Sequence, residues 1–473
     1  MVFSSSIFLF WFLPAFLGAY YATPAKWRSY TITIGSYIFY GWWRIDMLFL
    51  LIAVTVWAWG CSKMIERSNI ESKRKFWVGM GVTVALLTLG YYKYANLLLA
   101  SLNSMFGIAG RDPVNFEYII LPIGISFFTF QAISYVIDVY RRDAEAAPLI
   151  TLAAYSALFP QLIAGPVLRY KDLDDQFRSR THTLEKFGEG TLRFAQGLAM
   201  KVVIADTVAP LVDASFAQES PQLLDAWLGA LAYSIQIYFD FAGYSSMAIG
   251  LGLMMGFRFI ENFDQPYSSL SITEFWRRWH ISLSTWLRDY LYIPLGGNRK
   301  GTWKTYRNLV LTMVLGGFWH GANWTFLLWG AWHGGILAAE RWLGGKKKQT
   351  ELVRSPIGAW FLTTLFVMIG WVMFRATSVS SAFGMYGGML GLNGTGLSST
   401  LVWQVSGLQI TAFIAAMFFI LVGAMRVRSL TPNIRLESRR SAALATTGWA
   451  AILCLAVTKL VADSYSPFLY FQF

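Results

Sequence analysis

Apolar runs long enough to cross a bilayer recur along the whole chain. A membrane-spanning helix needs about 20 mostly apolar residues to cross roughly 30 Å of hydrocarbon. Runs of this kind lie at Met47–Met64, Phe76–Tyr92, Ile119–Val139, Ile357–Phe374, Gln409–Met425 and Ala443–Val461. The pattern predicts an all-α polytopic membrane protein with about eleven membrane-embedded segments, some of them short or re-entrant. Because polar stretches are short, we expect residues 1–473 to form a single integral membrane domain.

The composition agrees with this class. Of the 473 residues, 55% are hydrophobic, 17% are aromatic and only 14% are charged, whereas about a quarter of a soluble domain is charged. A net charge of +13 in a soluble protein would suggest nucleic acid as a partner. In a membrane protein it follows from the Lys and Arg that collect in cytoplasmic loops. The expected surroundings are therefore membrane lipids, with no nucleic acid.

The basic residues also predict an orientation. Lys63–Lys75 is rich in Lys and Arg, which places it in the cytoplasm by the positive-inside rule. We expect Met1–Tyr21 to be a retained helix, both termini to be periplasmic, and Lys93 and Arg111 to lie in an external loop. The other basic stretches are predicted to be cytoplasmic: Arg169–Arg193, Arg258–Arg307, Arg341–Arg354 and Arg426–Arg440. Three stretches without Lys or Arg are predicted to be external: Asp213–Gln222, Ala376–Leu408 and Asp463–Phe473.

Neither cysteines nor histidines suggest a metal site. The two cysteines, Cys61 and Cys454, both lie in apolar runs, which argues against a disulfide framework. The four histidines lack a His-x-x-x-His spacing, so no metal is predicted. The chain also lacks a Gly-x-Ser-x-Gly elbow in a strand–helix context and a P-loop.

Three of the histidines are candidates for chemistry. His182 lies in a polar loop, where a solvated residue is expected, but His280, His320 and His333 lie in the aromatic-rich stretch Phe275–Trp342. An ionisable residue at membrane depth is costly and is by default a functional candidate. A neutral imidazole can take a proton from a hydroxyl at neutral pH.

Glycines surround His320, and they allow two interpretations. Gly316, Gly317 and Gly321 stand on both sides of it in the sequence. Small residues let helices approach closely in lipid, which would make His320 a core histidine at a helix contact. They also leave space beside the imidazole, as a substrate passage requires.

The segment Phe275–Tyr292 has aromatic and apolar residues at helical spacing, which predicts an amphipathic helix at the cytoplasmic interface. One interpretation is a plain interfacial anchor, with Arg277 and Arg278 against lipid phosphates. The other is that these arginines line the mouth of a site for an anionic donor, whose phosphates suit guanidinium groups.

Several long stretches resemble the membrane-bound O-acyltransferase family, in particular the bacterial branch that acetylates alginate and cellulose. The teichoic acid D-alanine-transferring protein is a more distant relative. The stretch Tyr238–Phe257 departs from the family pattern at Ser246, where relatives have an acid, so no role of that acid is carried over. The matching stretches are Leu121–Arg141, Leu158–Leu173, Tyr238–Phe257, Glu261–Arg299 and Gly316–Gly334.

The resemblance implies a funnel-shaped helical fold with a central tunnel. It implies that His320 is the catalytic histidine and His280 a second polar tunnel residue, with Asn262 as a lesser candidate. It also implies acetyl-CoA as a cytoplasmic donor that is not tightly bound, and a periplasmic acetyltransferase partner in the export complex of a polysaccharide such as alginate or cellulose.

Acyl transfer also needs hydrogen-bond donors for the developing oxyanion. Trp319, Asn323 and Trp324, next to the proposed base, are candidates, and His333 is expected to pack behind the site. The alternative is a polytopic transporter or scaffold subunit of an exopolysaccharide export complex. Such a protein should tolerate His320→Ala far better than an acyltransferase would.

Overall fold

The computed structural model describes residues 1–163, 165–344, 355–427 and 439–462. These residues form helices and connecting segments without a strand, as the sequence predicted. Short π-helical turns interrupt or extend several helices, at Phe8–Phe12, Gly90–Tyr94, Met200–Ala205 and Arg288–Tyr292. Single 3₁₀ turns lie at Ala25–Trp27 and Pro266–Ser268. The α-helices are α1 (Leu13–Ala22), α2 (Arg28–Gly41), α3 (Ile45–Arg67), α4 (Glu71–Leu89), α5 (Ala95–Ile108), α6 (Ile125–Arg141), α7 (Leu149–Ala157), α8 (Phe159–Leu162), α9 (Tyr170–Arg178), α10 (Leu184–Ala199), α11 (Asp206–Phe216), α12 (Leu223–Met254), α13 (Ile272–Arg278), α14 (Ile281–Leu287), α15 (Thr302–His320), α16 (Trp324–Gly344), α17 (Pro356–Arg375), α18 (Val379–Met389), α19 (Ser399–Gln404), α20 (Gly407–Val427) and α21 (Arg439–Ala462).

Helices that could cross a membrane are present, but the number differs from the expected one. Within the described ranges, five helical stretches are long and apolar enough: Ile45–Arg67, Glu71–Ile108, Leu184–Phe216, Pro356–Arg375 and Gly407–Met425. Two shorter apolar helices lie at Phe8–Ala22 and Ala451–Ala462. The expected count of about eleven embedded segments is therefore not confirmed. Most of Arg426–Arg440, and all of Asp463–Phe473, lie outside the described residues.

The apolar run Ile119–Val139 is only partly helical, because α6 begins at Ile125. Gly124, just before it, has a φ of 75°, a left-handed conformation that ends any helix arriving from its N-terminal side. The residues before Gly124 are not helical, and side-chain hydrogen bonds from Asn96 hold them in place. Asn96 Nδ2 donates to the carbonyl of Ile119 at 2.8 Å, and the Ile119 amide donates back to Asn96 Oδ1 at 3.0 Å.

Lys93 does not lie in an external loop, contrary to the sequence-based expectation. It sits in the π turn Gly90–Tyr94, inside the helical stretch Glu71–Ile108. Its side chain is buried, and Nζ donates to Ser126 Oγ at 3.1 Å. The stretch continues as helix because the residues after Lys93 include no Pro and keep good helix formers.

The described chain divides into two compact units. One consists of Met1–Arg193 with Ala248–Ile260, and the other of Phe194–Met247 with Glu261–Phe473. A cluster of aromatic rings that includes Phe8, Phe39 and Phe159 packs in the core of the first unit. All candidate site residues lie in the second unit. The single membrane domain remains a prediction.

His182 belongs to the first unit, and it is not the solvated loop residue that its polar neighbours suggested. Its Nε2 lies 2.9 Å from Tyr20 Oη and 3.1 Å from the carbonyl of Met255. Arg28 Nη1 lies 3.1 Å from the same ring. Burial, followed by the charges of Arg28 and Arg180, lowers the pKa of His182. The loop is drawn inward because the carbonyls at the end of α12 need donors.

Candidate active site

The helices α15 and α16 pack so closely that their backbones touch at glycines. A Cβ at Gly317 would strike the carbonyl oxygen of Phe326, and a Cβ at Gly330 would strike that of Met313. These glycines therefore serve helix packing, the first of the two interpretations. The close contact fixes the C-terminal end of α15, where His320 is the last helical residue.

Gly316 agrees with the second interpretation, in which glycine leaves space beside the imidazole. It lines a cavity of about 450 Å³ in the second unit. The cavity runs from an exposed end, with Arg288, Asn298 and Arg341, to a buried end with His320 and Trp329. Its walls are mostly apolar. The other lining residues are Trp276, Leu283, Ser284, Leu287, Tyr292, Ile293, Leu309, Thr312, Met313 and Leu337.

His320 is enclosed by aromatic rings. The ring of Trp319 lies 5.1 Å from it, that of Trp329 at 5.2 Å and that of Phe374 at 5.2 Å, all between centroids and all edge-on. The side chain is only 5% exposed. Such a cage limits the rotation of the imidazole and keeps bulk water from the closed end of the cavity.

The predicted amphipathic helix Phe275–Tyr292 is broken at its middle, which corrects the sequence-based expectation. α13 ends at Arg278, and α14 begins after His280, whose φ of 44° is left-handed. The break is stabilised by an earlier segment of the chain. The Ile281 amide donates to the carbonyl of Asn262, and the Asp264 amide donates to that of Arg278, both at 3.0 Å. Histidine is among the non-glycine residues that tolerate this conformation.

Asn262 and His280, both fully buried, share a hydrogen-bond network. His280 Nδ1 lies 3.1 Å from Asn262 Oδ1, which also accepts from Ser282 Oγ at 2.8 Å. On the other side, Asn262 Nδ2 donates to Ser245 Oγ on α12 at 2.9 Å. The Ser282 amide donates to the same Oδ1 at 3.3 Å.

The structure brings the two principal histidines together. The ring centroids of His280 and His320 are 6.3 Å apart, with 53° between the ring planes. The edge of Phe241 packs on His280 at 4.7 Å. Burial lowers the pKa of His280 to about 3, so this imidazole is neutral at physiological pH.

Three other candidates lie beside the site but make different contacts. Asn323 caps α16, because its Oδ1 accepts from the Thr325 amide at 3.1 Å and its Nδ2 donates to the carbonyl of Thr377 at 2.8 Å. Trp324 is 55% exposed and does not line the cavity. His333 is fully buried behind Trp329, with ring centroids 5.1 Å apart, and it does not line the cavity.

The two arginines expected at the donor site do not line the cavity either. Arg277 is exposed. Arg278 is engaged in ion pairs with Asp264 at 2.8 Å and Glu274 at 3.1 Å. The arginines that do line the cavity are Arg288 and Arg341.

The comparison with protein families gives a match to the membrane-bound O-acyltransferase family over residues 42–383. The chain belongs to this family. It is 52% identical to the probable alginate O-acetylase AlgI of Pseudomonas putida over 100% of both chains. It is 34% identical to the peptidoglycan O-acetyltransferase of Helicobacter pylori, over 100% of this chain and 98% of that one. The teichoic acid D-alanyltransferase of Bacillus subtilis is 29% identical, over 53% of this chain and 68% of that one.

These relatives place the chain in the bacterial polysaccharide O-acetyltransferase branch of the family. The protein is a membrane acyltransferase, which confirms the resemblance inferred from the sequence motifs. A pure transporter or scaffold does not agree with this assignment.

Several residues of the site escaped the sequence analysis. Arg341 lies in the last turn of the apolar helix α16, and its charge was assigned only to topology; Arg288 lies in the predicted helix Phe275–Tyr292 but was not chosen as a donor-site residue. Ser245 and Ser282 are small polar residues in stretches whose sequence indicates only helix packing. Their spacing from Asn262 along the chain gives no signal, because only the tertiary structure brings them to one amide. Trp329 stands nine residues after His320, and its contact with that ring depends on how α15 and α16 pack.

Proposed function

We propose that this protein takes acetyl groups from acetyl-CoA at the cytoplasmic side of the bacterial inner membrane and passes them on for O-acetylation of an exported polysaccharide. The observation that carries the proposal is the cavity, which joins two arginines at its exposed end to His320 at its buried end. Such a site suits a donor with phosphates at one end and a thioester at the other.

The exposed end of the cavity supports a phosphate-bearing donor. Arg288 and Arg341 both line it, and guanidinium groups bind phosphates through paired hydrogen bonds. Arg288 already pairs with its neighbour Asp289 at 2.7 Å, whereas Arg341 makes no ion pair within the described part of the chain, so Arg341 is the main candidate for binding the phosphates. Both arginines lie in stretches that the positive-inside rule assigns to the cytoplasm, where acetyl-CoA is available.

The buried end suits acyl transfer. His320 takes the proton of the attacking hydroxyl as the hydroxyl oxygen bonds to the thioester carbonyl carbon. The carbon–sulfur bond then breaks, and the proton passes to the leaving thiolate. The aromatic cage excludes water, which would otherwise hydrolyse the thioester. A positioned base of this kind contributes about 10²–10⁴-fold to the rate.

The polysaccharide is best proposed from the relatives. Proteins named alginate O-acetylase match over the full length at 47–52% identity, which favours alginate over cellulose. The proposal includes a periplasmic acetyltransferase partner that receives the acetyl group, and N- and C-termini that are both periplasmic. The donor, partner and orientation are each open to direct measurement.

His320→Ala tests the proposed chemistry, with His333→Ala as its matched control. Both residues are buried histidines on neighbouring helices, but only His320 lines the cavity. We expect His320→Ala to reduce polymer-bound acetate per membrane protein by at least 100-fold, and His333→Ala to retain most of it. Near-normal acetate with His320→Ala, or loss only with His333→Ala, would contradict the assignment of the base.

A further inference from the structure

The orientation of the Asn262 amide is determined by a backbone group. The main-chain N–H of Ser282 can only donate, and it points at Oδ1 of Asn262 at 3.3 Å. The atom at that position is therefore the amide oxygen, and the amide nitrogen faces Ser245 Oγ at 2.9 Å. The backbone donor therefore distinguishes the oxygen end of this asparagine side chain from its nitrogen end.

The tautomer of His280 follows from that orientation. Nδ1 of His280 lies 3.1 Å from the same oxygen, and an amide oxygen only accepts hydrogen bonds. Nδ1 must therefore carry the proton. In a neutral imidazole the other nitrogen, Nε2, is then the acceptor.

The separation of the two histidine rings matches a bridge through one oxygen atom. Their ring centroids are 6.3 Å apart, which is too far for a direct hydrogen bond between ring nitrogens. An oxygen atom between them can lie within about 2.7–3.2 Å of a nitrogen of each ring. Because Nε2 of His280 is an acceptor, the oxygen atom must carry a proton and donate it in a hydrogen bond to Nε2.

We propose that Asn262 is a positioning residue that holds His280 as the Nδ1–H tautomer, so that Nε2 accepts a hydrogen bond from an O–H group held between His280 and His320. The oxygen of this group then accepts the N–H of His320. That contact orients His320 and leaves its opposite ring nitrogen to take the proton from the attacking hydroxyl. The inference rests on the proposed function, because it assigns the supporting residues of the same reaction.

Groups from several described elements face His280, and Ser282 Oγ of α14 lies 3.4 Å from its Nδ1. Of the described elements that contact it, α15 presents His320 and Trp319, and α12 presents Phe241. The segment before α13 presents Asn262. A carboxylate at position 262 would therefore be a new charge beside the ring.

Asn262→Asp tests the tautomer. The carboxylate still accepts from Nδ1, so activity should persist at high pH. It also stabilises the imidazolium and raises the pKa of His280. Protonated His280 cannot accept at Nε2, so its titration should add a second proton to the acid limb of the pH–rate profile, and activity should fall more steeply with decreasing pH than in wild type.

Asn262→Leu removes the acceptor and should lower kcat at least tenfold, with little change in KM for acetyl-CoA. The matched control is Asn308→Asp. Asn308 is a buried asparagine of the same unit, and its Nδ2 donates to the carbonyl of Gly297 at 3.1 Å rather than contacting a histidine. This control should leave the acid limb only as steep as in wild type even if it lowers stability.

The measurement is polymer-bound acetate in membrane vesicles supplied with acetyl-CoA over a range of pH, normalised to folded protein. An acid limb no steeper than that of wild type with Asn262→Asp, an equal change with Asn308→Asp, or full activity of Asn262→Leu would each overturn the inference. The wild-type protein and His320→Ala in the same vesicles report on the proposed function separately.

Discussion

The exposed end of the cavity yields a quantitative prediction for Arg341→Gln. A hydrogen bond to a charged group contributes about 1.5–3 kcal/mol. Because Arg341 is exposed, screening by solvent reduces this to about 0.5–1 kcal/mol. Since about 1.4 kcal/mol is a factor of ten, we expect the KM for acetyl-CoA to rise roughly two- to fivefold with kcat nearly unchanged.

A truncated donor makes this test specific for the phosphates. S-acetylpantetheine has the same thioester but no phosphate, so Arg341→Gln should barely change its KM. Initial rates with both donors, for wild type and variant, form a cycle whose coupling term isolates the contact between arginine and phosphate. Raised ionic strength should weaken the effect on acetyl-CoA as well.

Arg277→Gln is the control for this prediction, because Arg277 is an exposed arginine of the same unit that does not line the cavity. It should leave the KM for both donors unchanged. If Arg341→Gln raised both KM values equally, the arginine would act through the shape of the cavity. If Arg277→Gln had the larger effect, the assignment of the donor entrance would be wrong.

Three further predictions concern packing, buried charge and orientation. Gly317→Ala should destabilise the detergent-solubilised protein by about 1–3 kcal/mol in thermal unfolding, because its Cβ meets a backbone carbonyl, whereas Gly335→Ala, with open space at its Cβ, should not. Lys201→Met should cost about 3–5 kcal/mol, measured in the same way, because buried Lys201 pairs with Asp240 at 2.8 Å. A reporter fused after Lys75 should be active only as a cytoplasmic reporter; export of that fusion would reject the proposed orientation.

The all-α class was predictable because helices in lipid satisfy their own backbone hydrogen bonds, which requires long apolar runs. The boundaries were less predictable. Ile119–Val139 counts as one apolar run, yet its helical part begins only after Gly124, which has a left-handed φ. Hydropathy sums over a window and does not register a single residue that changes the direction of the chain. The position of Lys93 was predicted wrongly for the opposite reason, because one charge in an otherwise continuous helix suggested a loop.

The central residues of the site were predictable from composition and motif, but their partners were not. His320 and His280 stand out as rare ionisable groups in an apolar stretch. Arg277 and Arg278 were chosen from the predicted helix Phe275–Tyr292, although Arg288 lies in the same stretch, and Arg341 was assigned only to topology. Which arginine lines a cavity depends on the packing of α14, α15 and α16, and a linear pattern does not contain that packing.

The break at His280 explains why helical periodicity misled. Apolar residues recur at helical spacing on both sides of it, so a continuous helix is the locally favoured conformation. The left-handed conformation of His280 costs about 1–2 kcal/mol. It is offset by the two backbone hydrogen bonds between the segment at Asn262 and the residues around His280. Without the break, the Asn262 carbonyl would lose the Ile281 amide, and the amide oxygen of Asn262 would no longer meet both Ser282 and the imidazole. The local strain is therefore tied to the hydrogen bonds that set the tautomer of His280.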